Sequence, residues 1–293
     1  MKWIIGVDLR PRSQGALTFA RFLHDAAPDD TFEAVHVVPQ EHLMAALRYH
    51  HLDEVLAAVQ KASAEVVERV GAADLVGTVR VEKGGSSVDQ KLLEIAEAEG
   101  ADGVIVGRQA TREGHEIVRL GSVTRRLLRH ADRPVLVVPP DLDLAAIGTG
   151  PVFFLSRLTE DAAPAATLAA TLARRLGRKV VLGHAIPVPQ DWGSHYLPGA
   201  VLDKLLQEHH AEALERMKAW AGEHGLADAE LRLLEGSILD VVPKEAQALD
   251  VCLVVVGSRR LSVGERWLLT SVSSHLAGQL ARPVLVVPSL DEA

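Results

Sequence analysis

Short apolar runs alternate with longer amphipathic stretches along the whole chain. In the first half, β-branched and apolar residues cluster at Trp3 to Val7, Phe32 to Val38, Val76 to Val81, Gly103 to Val106 and Val135 to Val138, and the segments between them carry helical periodicity. This pattern predicts βαβαβαβαβ. Val104-Ile-Val106 and Val135-Leu-Val-Val138 are apolar at every position, as a strand must be when helices cover both faces of a parallel sheet. The second half repeats the order with Val152 to Leu155, Lys179 to Ala185, Glu230 to Leu234, Cys252 to Val256 and Val284 to Val287. Pro243 falls beyond the first turn of a helix expected to begin near Ser237, which predicts a kink or a delayed start there.

The repetition extends to identical residues. Arg133-Pro-Val-Leu-Val-Val-Pro139 recurs 149 positions later as Arg282-Pro-Val-Leu-Val-Val-Pro288. Asp8 aligns with Ser156, His36 with His184, Gly85 with Gly236 and Gly107 with Gly257, at offsets that drift by only a residue or two. Such a period is too long for a solenoid and fits two copies of one domain, residues 1–142 and 150–293. The Pro- and Gly-bearing stretch from Pro139 to Gly150 reads as a short linker, ordered in part by its leucines. The second copy carries an insertion from Pro187 to Pro198, read as a loop around Trp192. The Val-Leu-Val-Val strands come last in each copy and should lie at sheet edges, so they are expected to pair with each other in a pseudo-twofold arrangement. A homodimer is the further expectation for assembly.

Composition narrows the class. With 48% hydrophobic, 24% charged and only 4% aromatic residues, the core must be built from Val, Leu, Ile and Ala. A formal net charge of −8 argues against nucleic acid as a partner, because binding a phosphate backbone needs a basic face. Cys252 is the only cysteine, which excludes a disulfide framework and points to the cytoplasm. The apolar start at Met1 is cut short by Asp8, and no segment approaches membrane-spanning length, so neither export nor a membrane partner is expected.

Chemistry concentrates after the fourth strand. Val104-Ile-Val-Gly107 leads through a loop to Gly121-Ser-Val-Thr124 at a helix start, where free backbone N–H groups and the helix dipole both favour phosphate. Arg125, Arg126, Arg129, His130 and Arg133 follow, either adding a positive field or forming a solvated helix face. The 13 histidines include doublets at His50-His51 and His209-His210, assigned to corresponding long helices. Adjacent helical residues point about 100° apart, which makes a doublet a poor chelate, and no metal site is predicted. His36 and His184 read as structural residues at strand ends. No nucleophile elbow, zinc-protease helix or lysine-bearing phosphate loop is present, so no efficient enzyme is predicted.

Asp8 after the first strand, His36-Val37 on the second, the Gly107 turn, Gly121-Ser122 and the Arg-Pro-Val-Leu-Val-Val-Pro strand together resemble the universal stress protein family, over essentially the whole chain as a tandem pair. The resemblance implies two doubly wound α/β domains with parallel five-stranded sheets of order 3-2-1-4-5, of the adenine nucleotide α-hydrolase-like kind. It further implies a stress-response binding protein that takes ATP or another adenine nucleotide in the first domain, with magnesium only alongside ATP. Carried over, the family pattern assigns the site to Asp8, Val37, Gly107, Gly121, Ser122, Val123 and Thr124. The first half departs from that pattern at Ala110, in place of a second glycine, and at Gly121, one position late. The second half departs further, with Ser156 aligned to the aspartate, Arg260 in the glycine position and Thr270-Ser271 in place of Gly-Ser. Two other readings stand beside this one. The pockets have been reused for a different ligand or a partner protein, or the first half hydrolyses ATP slowly.

Overall fold

The computed structural model describes residues 1–9, 14–85, 87–108, 120–186, 198–258 and 272–289. The first half supplies strands β1 (Lys2–Gly6), β2 (Thr31–Val38), β3 (Arg80–Lys83), β4 (Gly103–Gly107) and β5 (Val135–Val138). The second supplies β6 (Val152–Leu155), β7 (Val180–Ile186), β8 (Glu230–Glu235), β9 (Leu253–Ser258) and β10 (Val284–Pro288). All ten join one sheet in the order β3-β2-β1-β4-β5-β10-β9-β6-β7-β8. Each half therefore has the order 3-2-1-4-5, and neighbours within a half run parallel. At the seam β5 and β10 run antiparallel, pairing Val135 with Val286, Leu136 with Leu285 and Val137 with Val284. The two Val-Leu-Val-Val strands thus satisfy each other's edges, the pairing expected of them.

Helices cover both faces. The first half has α1 (Gly15–Ala26), α2 (Gln40–Arg48), α3 (Leu52–Val70), the single turn α4 (Ala73–Val76), α5 (Val88–Ala98) and α6 (Ser122–His130). The second has α7 (Ala163–Arg175), α8 (Gly199–Glu223), α9 (Ile238–Ala248) and α10 (Val272–Gln279). Strand residues alternate between two cores. Ile5, Ile105, Leu136 and Leu285 pack on one face with Phe19 of α1 and Ala169 of α7, while Ile4, Val104, Val135 and Val284 pack on the other with Leu92 of α5 and Leu276 of α10. Both cores draw residues from both halves, so the packing is continuous across the seam.

The linker is docked. Leu142 and Ile147 are buried whereas Leu144 is exposed, so only one of its leucines anchors it. Thr149 donates to the Asp250 carboxylate through its N–H at 2.7 Å and its hydroxyl at 2.9 Å. A Cβ on Gly148 would stand 2.2 Å from the Asp250 carbonyl oxygen, which fixes glycine at this close approach.

Four sequence expectations change. The strand placed at Val76 to Val81 begins only at Arg80, because Val76 ends α4 and Gly77 turns the chain at φ 59°. Helix α9 starts at Ile238 with Pro243 inside it, which removes the delayed start and leaves the kink of the two expectations. His50 and His51 lie in the break between α2 and α3, with His50 in the left-handed region, while His209 and His210 sit within the unbroken α8; the doublets do not correspond. Finally, strand register corrects the internal alignment. Val7 N–H donates to Val35 O as Ser156 N–H donates to Gly183 O, so Ser156 corresponds to Val7, and Arg157 to Asp8. By the same logic Gly84, not Gly85, matches Gly236, since their N–H groups bond the last residues of β2 and β7.

Candidate functional site

Strands β1 and β4 are neighbours, with Gly6 opposite Val106, so Asp8 and Gly107 leave the sheet side by side at its carboxyl end. In an open parallel sheet this is where the order reverses and a crevice forms. On the other side of β1, Val37 lies two residues beyond the partner of Gly6, level with Asp8. Val37 is buried, and Asp8 is exposed.

The third wall is α6. Gly121 caps it in an extended conformation, and its first turn contains no acidic side chain. The Thr124 hydroxyl, buried in that turn, donates to the Gly107 carbonyl at 3.0 Å and pins the helix start to the end of β4. Ser122 is exposed at the mouth, while Val123 packs against the core beneath. All seven residues singled out from the sequence thus gather at one end of β1, β2, β4 and α6. The arrangement fits an anionic ligand: backbone N–H groups of a first helical turn have no intrahelical acceptor and carry the positive end of the dipole. Among the described residues, none comes within 4 Å of a Cβ built on Gly107.

The basic run behind this wall is largely committed elsewhere. Arg126 pairs through Nε with the buried Asp89 at 2.5 Å, tying α6 to α5. Arg133 holds Asp132 and donates to Ala101 O at 3.0 Å. The strand-end histidines are structural: Nδ1 of His36 donates to Val7 O and Nδ1 of His184 to Ser156 O, each at 2.8 Å, lacing β2 to β1 and β7 to β6. Burial pushes the His184 pKa below its usual value. No group of three or more His, Cys, Asp or Glu suited to a metal ion occurs among the described residues.

The equivalent place in the second half is built differently. Arg157 stands where Asp8 does and pairs with Asp161 at 2.9 Å. The 3-10 turn Glu160–Ala162 and the start of α7 close over Gly257, whose added Cβ would meet Ala162 and Ala165 at 3.8 to 3.9 Å. Sequence reading missed both features, because the one-residue slip hid Arg157 behind Ser156. Ala110, Trp192, Arg260, Thr270 and Ser271 lie outside the described residues.

Arg108 was also missed. Immediately after Gly107, its side chain crosses the seam, and Nη1 donates to Gly278 O at 2.7 Å and Leu280 O at 2.9 Å, at the carboxyl end of α10. Burial pushes its pKa down. Its partners lie 170 and 172 residues away, beyond any local sequence signal.

Among solved structures, a functionally unknown protein from Pseudomonas aeruginosa PAO1 matches with 17% identity and a TM-score of 0.65, covering 98% of this chain and 92% of that one. A universal stress protein from Archaeoglobus fulgidus DSM 4304 matches with 15% identity and a TM-score of 0.65, covering 98% of each chain. At these identities the likeness concerns the fold. No curated protein matches the sequence. No helix among the described residues is long and apolar enough to cross a membrane. Residues 1–139 and 158–288 each match the Universal stress protein family, and with both halves matched the chain belongs to that family.

Proposed function

We propose that the chain is a cytoplasmic stress-response binding protein, with domains at 1–142 and 150–293, whose first domain takes an adenine nucleotide such as ATP between Asp8 and the start of α6. Asp8 and Val37 would face the base and ribose side, while Gly107, Gly121, Ser122, Val123 and Thr124 would form the phosphate side, with magnesium entering only on the phosphates. The observation that carries this reading is the helix start of α6, fastened to the end of β4 beside Asp8 and Val37. In the first half the Thr124 hydroxyl pins the start of α6 to the Gly107 carbonyl beside Asp8, whereas in the second half Arg157, paired with Asp161, stands where Asp8 does. The role proposed is binding rather than catalysis, in keeping with a sequence that carries no nucleophile elbow, zinc-protease helix or lysine-bearing phosphate loop.

Calorimetric titration with ATP tests it. Gly107→Val should abolish binding, because the added carbon atoms enter the space proposed for the ligand. Asp8→Ala should weaken binding, and Arg157→Ala should leave it intact. Equal losses from Asp8→Ala and Arg157→Ala would remove the site from the first domain.

A further inference from the structure

The seam is symmetric in backbone but not in side chains. Leu136 and Leu285 pair at its centre, so each residue of β5 has its mate in β10. The helices preceding these strands follow suit: Ala131 N–H bonds Leu127 O as Leu280 N–H bonds Leu276 O, which makes Arg129 and Ala131 the mates of Gly278 and Leu280. Arg108 follows Gly107 at the end of β4, and its mate is Ser258, which follows Gly257 in β9. On one side of the seam the Arg108 guanidinium fills the space and is held by two helix-end carbonyls. Serine ends at its hydroxyl. On that other side there is a groove, with Ser258, Arg129 and Ala131 in its lining and apolar walls from Leu128, Val286 and Pro288.

By this correspondence the groove offers the carboxyl end of a helix, as Arg108 uses across the seam, where the last carbonyls lack intrahelical donors and carry the negative end of the dipole, and its own apolar side chains can flank an alkyl stem. Two cations border it. Arg133 is neutralised locally by Asp132, at 2.9 and 3.2 Å, whereas Arg129 is exposed. An exposed cation disfavours a purely cationic guest and favours one whose far end is anionic. From this geometry we infer that the groove binds a small alkylguanidinium carrying a carboxylate, the chemistry of free arginine: guanidinium on the carbonyls at the end of α6, stem along Val286 and Pro288, carboxylate towards Arg129.

The test is calorimetric titration of the full chain with L-arginine, with L-citrulline, whose urea group is neutral, and with agmatine, which lacks the carboxylate. Arginine should bind saturably, and citrulline about tenfold or more weakly, the cost of losing a charge-assisted hydrogen bond. Agmatine should also bind more weakly than arginine. Ser258→Arg should abolish arginine binding, because the new side chain can restore the arrangement made by Arg108. Should that variant fail to fold, Ser258→Gln, which fills the stem's place with a neutral amide, should abolish binding in the same way. An absence of saturable arginine binding, equal binding of citrulline or agmatine, or undiminished arginine binding in a folded Ser258 variant would overturn the inference. ATP binding in the first domain is a separate measurement, so failure here leaves that reading untouched.

Discussion

At the scale of single residues, the same type in the same sequence context does different work according to what the chain packs around it. Cys252 is flanked by valine and leucine, and burial pushes its thiol up to about 11. Near neutral pH almost no thiolate forms, and thiolate is the reactive species. An aromatic disulfide reagent should therefore leave native protein unmodified at pH about 8 and label Cys252 only as urea unfolds the chain; rapid labelling of the native state would contradict this. His184 gives a pH dependence of definite sign. Burial lowers its folded pKa, while the unfolded chain titrates near about 6.5, so below that pH the unfolded state gains the proton first and stability falls. Above it both states are neutral and the contribution vanishes. His184→Asn, whose side-chain amide can still donate to the Ser156 carbonyl, should flatten the loss of urea stability between pH about 7.5 and about 5.5. That Asp8, Gly107 and Gly121 come together at one end of the sheet was legible in the sequence because each lies at or just beyond the end of an element. Arg157 was not, since Asp8 and Ser156 look like counterparts until Val35 and Gly183 fix which backbone groups they follow.

At the scale of elements, the legible strands are those buried on both faces. β4, β5, β9 and β10 carry unbroken apolar runs because helices lie above and below them. β3 reads Arg-Val-Glu-Lys because it is an outer edge, where charge protects the exposed backbone, so its signal was lost to the more apolar Val76 beside it. The continuous α9 shows the opposite case, tertiary packing overriding a local rule. Val242 and Ala246 are buried on either side of Pro243, and that packing holds the helix despite the missing donor. Pro243→Ala restores a donor for the Leu239 carbonyl and relieves the ring's clash, and should raise stability by about 1–3 kcal/mol in urea unfolding. A loss instead would mean that the proline ring's own contacts outweigh the helix penalty.

At the scale of the whole molecule, the chain builds within itself what two separate domains would need an interface to make. The repeat predicted the pairing of β5 with β10, because two apolar last strands leave two edges to satisfy. It could not predict how the seam is fastened. Asp30 in the first half binds Arg175 in the second, and Arg108 spans the seam in one direction only. With both cores running through the seam, the halves should not unfold independently, and far-ultraviolet circular dichroism and tryptophan fluorescence should report one coincident urea transition. Arg108 tests how far that coupling depends on a polar tie. Arg108→Ala removes a largely buried guanidinium from two carbonyls and should cost about 1.5–3 kcal/mol, the range for hydrogen bonds to a charged group. Arg108→Lys should recover part of this, since an ammonium can meet a carbonyl but lacks the planar guanidinium that reaches both from a fixed stem. If the polar tie contributes to the coupling, Arg108→Ala should also separate the two probes' midpoints. A lower but still coincident transition would instead assign the coupling to the apolar seam of Leu136 and Leu285, with Arg108 adding stability to a sheet already joined.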